Sequence, residues 1–167
     1  FAALMPGSAF AKQIAAFPAV LRIGDTVFAH AGVLPLWARY GIDRINTEVQ
    51  AWFAGRGAEP RPTLGLDDGS ADDGVMWSRH FAALPEPVVC TLADESLGIL
   101  KANRMVVAHT VQKVITSRCD GRIWAVDVGI SRYFHKTERS RKPDCSLEEF
   151  LHHPRWGIEG LVTVLNR

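Results

Sequence analysis

Two histidines stand at the ends of strand-like runs in this chain. His30 closes the apolar run of "TVFAHAGVLP" (26–35), and His109 closes that of "RMVVAHTVQ" (104–112). Ala31 and Gly32 follow the first, and the hydroxyl residue Thr110 follows the second. A strand fixes an imidazole, and a turn of small residues leaves it open to a ligand. Neutral imidazole suits borderline divalent metals such as Zn, Mn and Fe. Each motif alone also fits a half-buried histidine that ends a strand. The repeated layout is what raises a shared metal site.

Two histidines do not make a hydrolytic metal centre, because such centres use carboxylates to bridge ions and balance charge. Asp127 in "AVDVG" (125–129) is the candidate carboxylate. It reads equally well as a turn aspartate bonded to nearby backbone N–H groups. Arg79 in "MWSRH" (76–80) sits beside an aromatic residue and could fork onto phosphate oxygens. A surface ion pair is the alternative for Arg79. His80 reads as incidental, His152 and His153 as exposed tail residues, and "CDGR" (119–122) as turn chemistry. The chain contains no GxSxG, Walker A, GxGxxG or HExxH motif.

The elements that must position these groups alternate between strand and helix. Residues 9–17 predict a short helix. "AVLRIGDTVFAH" predicts a hairpin turning at Gly24-Asp25, with its second strand ending at His30. Ile42, Ile45, Val49 and Phe53 recur at helical spacing over 41–53. Residues 55–74, rich in Gly, Pro and Asp, predict a surface loop. Thr91 with Asp94 resembles an N-cap for a helix through "LADESLGILKAN". "RMVVAH" predicts a buried strand, and "QKVITSRCDGRIWAVDVG" a second hairpin turning at Asp120-Gly121. "SLEEFLHHP" predicts a short helix and "GIEGLVTVLNR" a closing strand. Strands with interspersed helices give α/β or α+β layering.

The bulk numbers fit one domain. The 167 residues are 47% hydrophobic and 22% charged, with a formal charge of +1. That balance points to neither nucleic acid nor a membrane surface as partner. No apolar run reaches the roughly 18 residues of a membrane span. The apolar start is broken by Pro6 and Gly7 and lacks a basic leader, so a signal peptide is not expected. The first residue is Phe, which suggests sequence missing upstream. Cys90, Cys119 and Cys145 form no close pair and no CxxC, which argues against both a disulfide framework and a structural zinc site and favours a reducing, intracellular setting.

In order, "TVFAHAGVLP", "VMWSRHF" and "RMVVAHTVQKVITSRCDGRIWAVDVGIS" resemble the second half of a calcineurin-like metallophosphoesterase. More narrowly, they resemble the Shewanella-like branch of the phosphoprotein phosphatases. The similarity spans about residues 1–133 and the final strand at 158–165. It implies an α/β (α+β) fold that is part of a calcineurin-like four-layer β-sandwich flanked by helices. It implies that His30 and His109 match the family's HGG and GHT histidines, ligands of one metal. Arg79 matches a phosphate-binding arginine of this branch, and Asp127 falls in a structural D-x-G strand end. The complete domain would use two divalent ions (Mn, Fe or Zn).

The resemblance also implies a substrate: a phosphorylated protein (on serine, threonine or tyrosine) or another phosphoester. Here HGG is HAG and GHT is AHT, changes tolerated only where φ is negative. Residues 134–157 read as an insertion. The family's GDxHG, GDxxDRG and GNHE motifs are absent, so 1–167 reads as a partial domain whose N-terminal half is missing. Such a chain would be weak or inactive alone, with the missing half as a possible partner. Two alternatives stay open: a catalytically dead phosphatase-like binding module, and a metallophosphoesterase acting on nucleotides.

Overall fold

The structure, a computed structural model, describes residues 4–60 and 73–129. Its centre is one five-stranded mixed sheet in the order β1-β2-β3-β5-β4. The strands are β1 (Val20–Ile23), β2 (Thr26–Ala29), β3 (Arg104–Val107), β4 (Thr116–Arg118) and β5 (Ile123–Ala125). β1 with β2 and β4 with β5 are the two expected antiparallel hairpins. Gly24 turns the first at φ 59°. The second turns through Cys119, Asp120 and Gly121, all at positive φ. β2, β3 and β5 run parallel to one another.

Side chains alternate across the strands. Val20, Val27, Ala29, Met105, Val107, Ile123 and Ala125 belong to the buried core shared with the helices. The opposite row, Leu21, Phe28, Val106 and Trp124, is aligned by register across four strands. On that second face Leu21 and Ile23 are exposed, while Val106 is buried.

The helices follow from local chemistry. α1 (Ala9–Ile14) begins where the Ser8 hydroxyl accepts the Ala11 N–H at 3.1 Å. It stops three residues short of the sequence expectation. α2 (Pro35–Tyr40) was not visible as a helix; it starts on a proline, whose fixed φ suits a first turn. α3 (Ile42–Phe53) buries Ile45 and Val49, as the apolar spacing requires. Its Asn46 side chain bonds both the N–H and the carbonyl of Val20, which fastens the edge strand.

α4 (His80–Ala83) is a single turn. α5 (Glu86–Leu100) starts five residues before Thr91, and this corrects the expected cap. Pro85 and Pro87 stand at its start, where a missing N–H costs no helical bond. Thr91 lies inside the helix, and its hydroxyl donates to the Pro87 carbonyl. Lys101 at φ 52° ends it.

A second correction concerns the cysteines. Cys90 and Cys119 form a disulfide, with Cα atoms 5.3 Å apart. The fold brings a helix and a hairpin turn together across a separation of 29 residues, and no local motif signals that. The inference of a reducing setting therefore loses its basis. Cys145, His152, His153, the insertion at 134–157 and the last expected helix and strand lie outside the described residues. No helix among the described residues is long and apolar enough to cross a membrane.

Candidate metal and phosphate site

Register explains why two histidines 79 positions apart meet. β2 and β3 are parallel neighbours with Ala29 opposite Val107. The Ala108 N–H donates to the His30 carbonyl at 2.8 Å, which extends the ladder by one step. His30 and His109 therefore leave the carboxyl ends of adjacent parallel strands, the usual side for ligands in open α/β sheets. His30 Nε2 and His109 Nδ1 are 3.1 Å apart, and the rings meet edge to face. Two nitrogens about 2.0–2.1 Å from one ion at a tetrahedral or right angle lie about 2.9–3.4 Å apart. The separation is that of a hydrogen bond between the two imidazoles, and it is also the spacing that two ligands of one cation would have. The other ring nitrogen of His109, Nε2, is buried without a hydrogen-bond partner.

His109 itself sits at φ 61°, an uncommon backbone region for a residue with a side chain. Such strain persists only where surroundings enforce it, and it clusters at functional sites. Ala31 and Ala108, the added methyls beside the two histidines, are not at positive φ. The backbone accepts both. Gly32 is different: its φ is 115°, and a Cβ there would lie 2.4 Å from Cδ2 of Phe81.

Phe81 also explains how Arg79 is brought near. Phe81 is fully buried beneath the turn after His30, and Arg79 caps the same short helix. The Ala31 N–H donates to the Val75 carbonyl, tying this segment to the His30 turn. Arg79 is exposed, with its backbone in the bridge region at φ −107° and ψ 0°. Its charge reaches His109. Burial first, then the charges of Arg79 and His30, hold the His109 imidazole below its ordinary value of 6.5, while Asp127 acts weakly in the opposite sense.

Asp127 ends the next parallel strand over. Its Oδ1 accepts the Gly129 N–H at 2.9 Å, and its carbonyl accepts the Gln112 N–H. This is the turn-aspartate arrangement. His80 pairs with the Ser78 hydroxyl at 3.0 Å, away from the two histidines.

One neighbour was missed in the sequence. Trp77 packs edge-on against His109 with ring centroids 5.2 Å apart, although the ring is half exposed. The sequence signal was only an aromatic beside Arg79. Among the described residues no third His, Cys, Asp or Glu gathers around the histidine pair.

No family model matches the chain. Over 136 residues it is 32% identical to Shewanella-like protein phosphatase 2 of Arabidopsis thaliana, covering 78% of this chain and 34% of that protein. It is 24% identical to Shewanella-like protein phosphatase 1 of Plasmodium berghei, covering 77% of this chain and 36% of that one. The chain thus spans about a third of the length of these relatives. Among solved structures, the cold-active protein-tyrosine phosphatase of a psychrophilic Shewanella species superposes with a TM-score of 0.54 at 22% identity, over 70% of this chain and 35% of that one. A mutant of a cold-active protein tyrosine phosphatase gives 0.58, over 72% of this chain and 37% of that one. The histidine pair and its arginine therefore stand on a phosphatase-like α/β fold, in a chain similar to part of the Shewanella-like protein phosphatases.

Proposed function

We propose that this chain is the C-terminal half of a calcineurin-like metallophosphoesterase, and that the complete unit hydrolyses phosphoesters of proteins. The observation that carries this reading is the 3.1 Å approach of His30 Nε2 and His109 Nδ1 at the carboxyl edge of the sheet. Both would serve as ligands of one ion. When bound, divalent ions at such a centre supply Lewis acidity and a hydroxide at neutral pH.

The chain's own residues have separate tasks. The β2 and β3 strand ends fix the two imidazoles, and the depressed basicity of His109 keeps it neutral, the form that ligates. Trp77 screens one edge of His109 from water. Arg79, exposed and held by the buried Phe81, would bind phosphate oxygens in a fork as charge builds on them. The remaining ligands would come from the missing N-terminal half. The row Leu21, Phe28, Val106 and Trp124, in which Leu21 is exposed, would offer that half an apolar face to pack on.

A second reading has its own support. Only two ligand side chains converge among the described residues, as in a catalytically inactive phosphatase-like module that binds a phosphorylated partner.

The deciding experiment is Mn²⁺-dependent hydrolysis of an aryl phosphate. The chain alone is expected to turn over poorly. Adding a segment that carries the family's upstream motifs is expected to restore activity that His30→Ala and His109→Ala each abolish. A restored unit that binds a phosphopeptide through Arg79 but never turns over supports the inactive module. Robust turnover by the chain alone contradicts the half-domain reading.

A further inference from the structure

We propose a second metal site, made by Glu86, Cys90 and Cys119, none of which belongs to the histidine pair. It would take one thiophilic divalent cation of the zinc class once the disulfide is reduced. Among the described residues, these three form the one group of His, Cys, Asp or Glu side chains whose ligand atoms all lie within 4.8 Å of one another.

The placement follows from the fold. Glu86 and Cys90 stand four residues apart on α5, so they share one helix face. Glu86 Oε1 lies 3.9 Å from Cys90 Sγ. Cys119 enters from the β4–β5 turn at φ 54°, and its sulfur is bonded to that of Cys90 on the helix. Two sulfurs and a carboxylate oxygen around one point are a donor set that zinc accepts, with water as fourth ligand.

The surroundings suit a cation held by anions. Arg118 Nε donates to Glu86 Oε2 at 2.8 Å, and the Cys119 N–H donates to Oε1 at 2.7 Å. These bonds orient the carboxylate toward the sulfurs, as outer partners of metal ligands do. Arg118 is anchored further by the carbonyls of Phe81 and Leu84. Charge also balances. Two thiolates and a carboxylate carry three negative charges; the cation cancels two, and the Arg118 guanidinium cancels the third.

The chemistry is a two-electron exchange followed by ligation. A dithiol reductant breaks the Cys90–Cys119 S–S bond, becomes its own cyclic disulfide, and leaves two cysteine thiols. The cation then binds both sulfurs and releases their two protons to solvent. Disulfide and metal therefore exclude each other.

The test uses Co²⁺ as the probe. The whole chain is reduced with a dithiol, desalted under nitrogen, and titrated. One equivalent is expected to produce a near-ultraviolet thiolate-to-cobalt band that Zn²⁺ bleaches. The band is expected to be absent before reduction and lost in Cys90→Ser, yet kept in His30→Ala and His109→Ala, which separates this site from the histidine pair. Arg118→Gln is expected to weaken binding by about tenfold. Circular dichroism confirms folding of each sample. No band in folded, reduced protein, or a band that survives Cys90→Ser, overturns the site. Unchanged affinity in Glu86→Gln overturns the three-donor assignment.

Discussion

The ring of Phe81 fills the space that a side chain on Gly32 would need. A Cβ built on Gly32 lies 2.4 Å from Phe81 Cδ2 and 3.3 Å from Val107 Cγ1, on a backbone at φ 115°. The turn that carries His30 is thereby packed directly onto the helix that follows Arg79.

Gly32→Ala is therefore expected to be costly. Backbone strain and overpacking act together, for a loss of at least about 2 kcal/mol. Gly24→Ala is the comparison, since Gly24 has a left-handed backbone at φ 59° but open space around it. That substitution is expected to cost about 1 kcal/mol. Urea unfolding midpoints of the two variants check the ranking.

Stability of the metal-free chain is expected to depend on His109 below neutral pH. Burial, Arg79 and His30 hold its pKa beneath the ordinary 6.5, so the unfolded chain binds this proton more readily than the folded one. Stability is then complete above 6.5 and is lost as pH falls toward the folded value. His109→Gln is expected to flatten this part of the curve of unfolding free energy against pH. A slope that is unchanged in the variant assigns it to other groups.

Reducing the disulfide is expected to loosen the α5–hairpin junction. Cys90 and Cys119 are 29 residues apart, and closing such a loop stabilises by about 3–4 kcal/mol in the chain-entropy picture. Urea unfolding with and without a reductant measures the difference. Cys90→Ala is expected to match the reduced protein and to gain nothing further from reductant.

Much of this arrangement was legible in the residues, for identifiable reasons. Gly24-Asp25 and Asp120-Gly121 announce their hairpins because few residues tolerate such tight turns. The stripe of Ile45 and Val49 announces α3. His30 and His109 were visible as a pair through repeated local patterns, but their meeting rests on the parallel register of Ala29 with Val107. Tertiary placement alone decides the rest. Trp77 packs on His109 from a distant segment, and Cys90 finds Cys119 from a helix that begins five residues before the expected Thr91 cap. The reading of Asp127 was open between ligand and turn, and its bond to Gly129 N–H is the turn form.

The central claim is that His30 and His109 hold one cation together, and Mn²⁺ titration followed by NMR of the imidazole protons tests it most directly. Bound Mn²⁺ broadens nearby resonances whether or not the chain is catalytically competent. The account predicts that the His30 and His109 signals broaden together at low Mn²⁺, and that either His30→Ala or His109→Ala protects the remaining partner. Broadening of only one of the two in the unaltered chain, or persistence of the effect after either substitution, would contradict it.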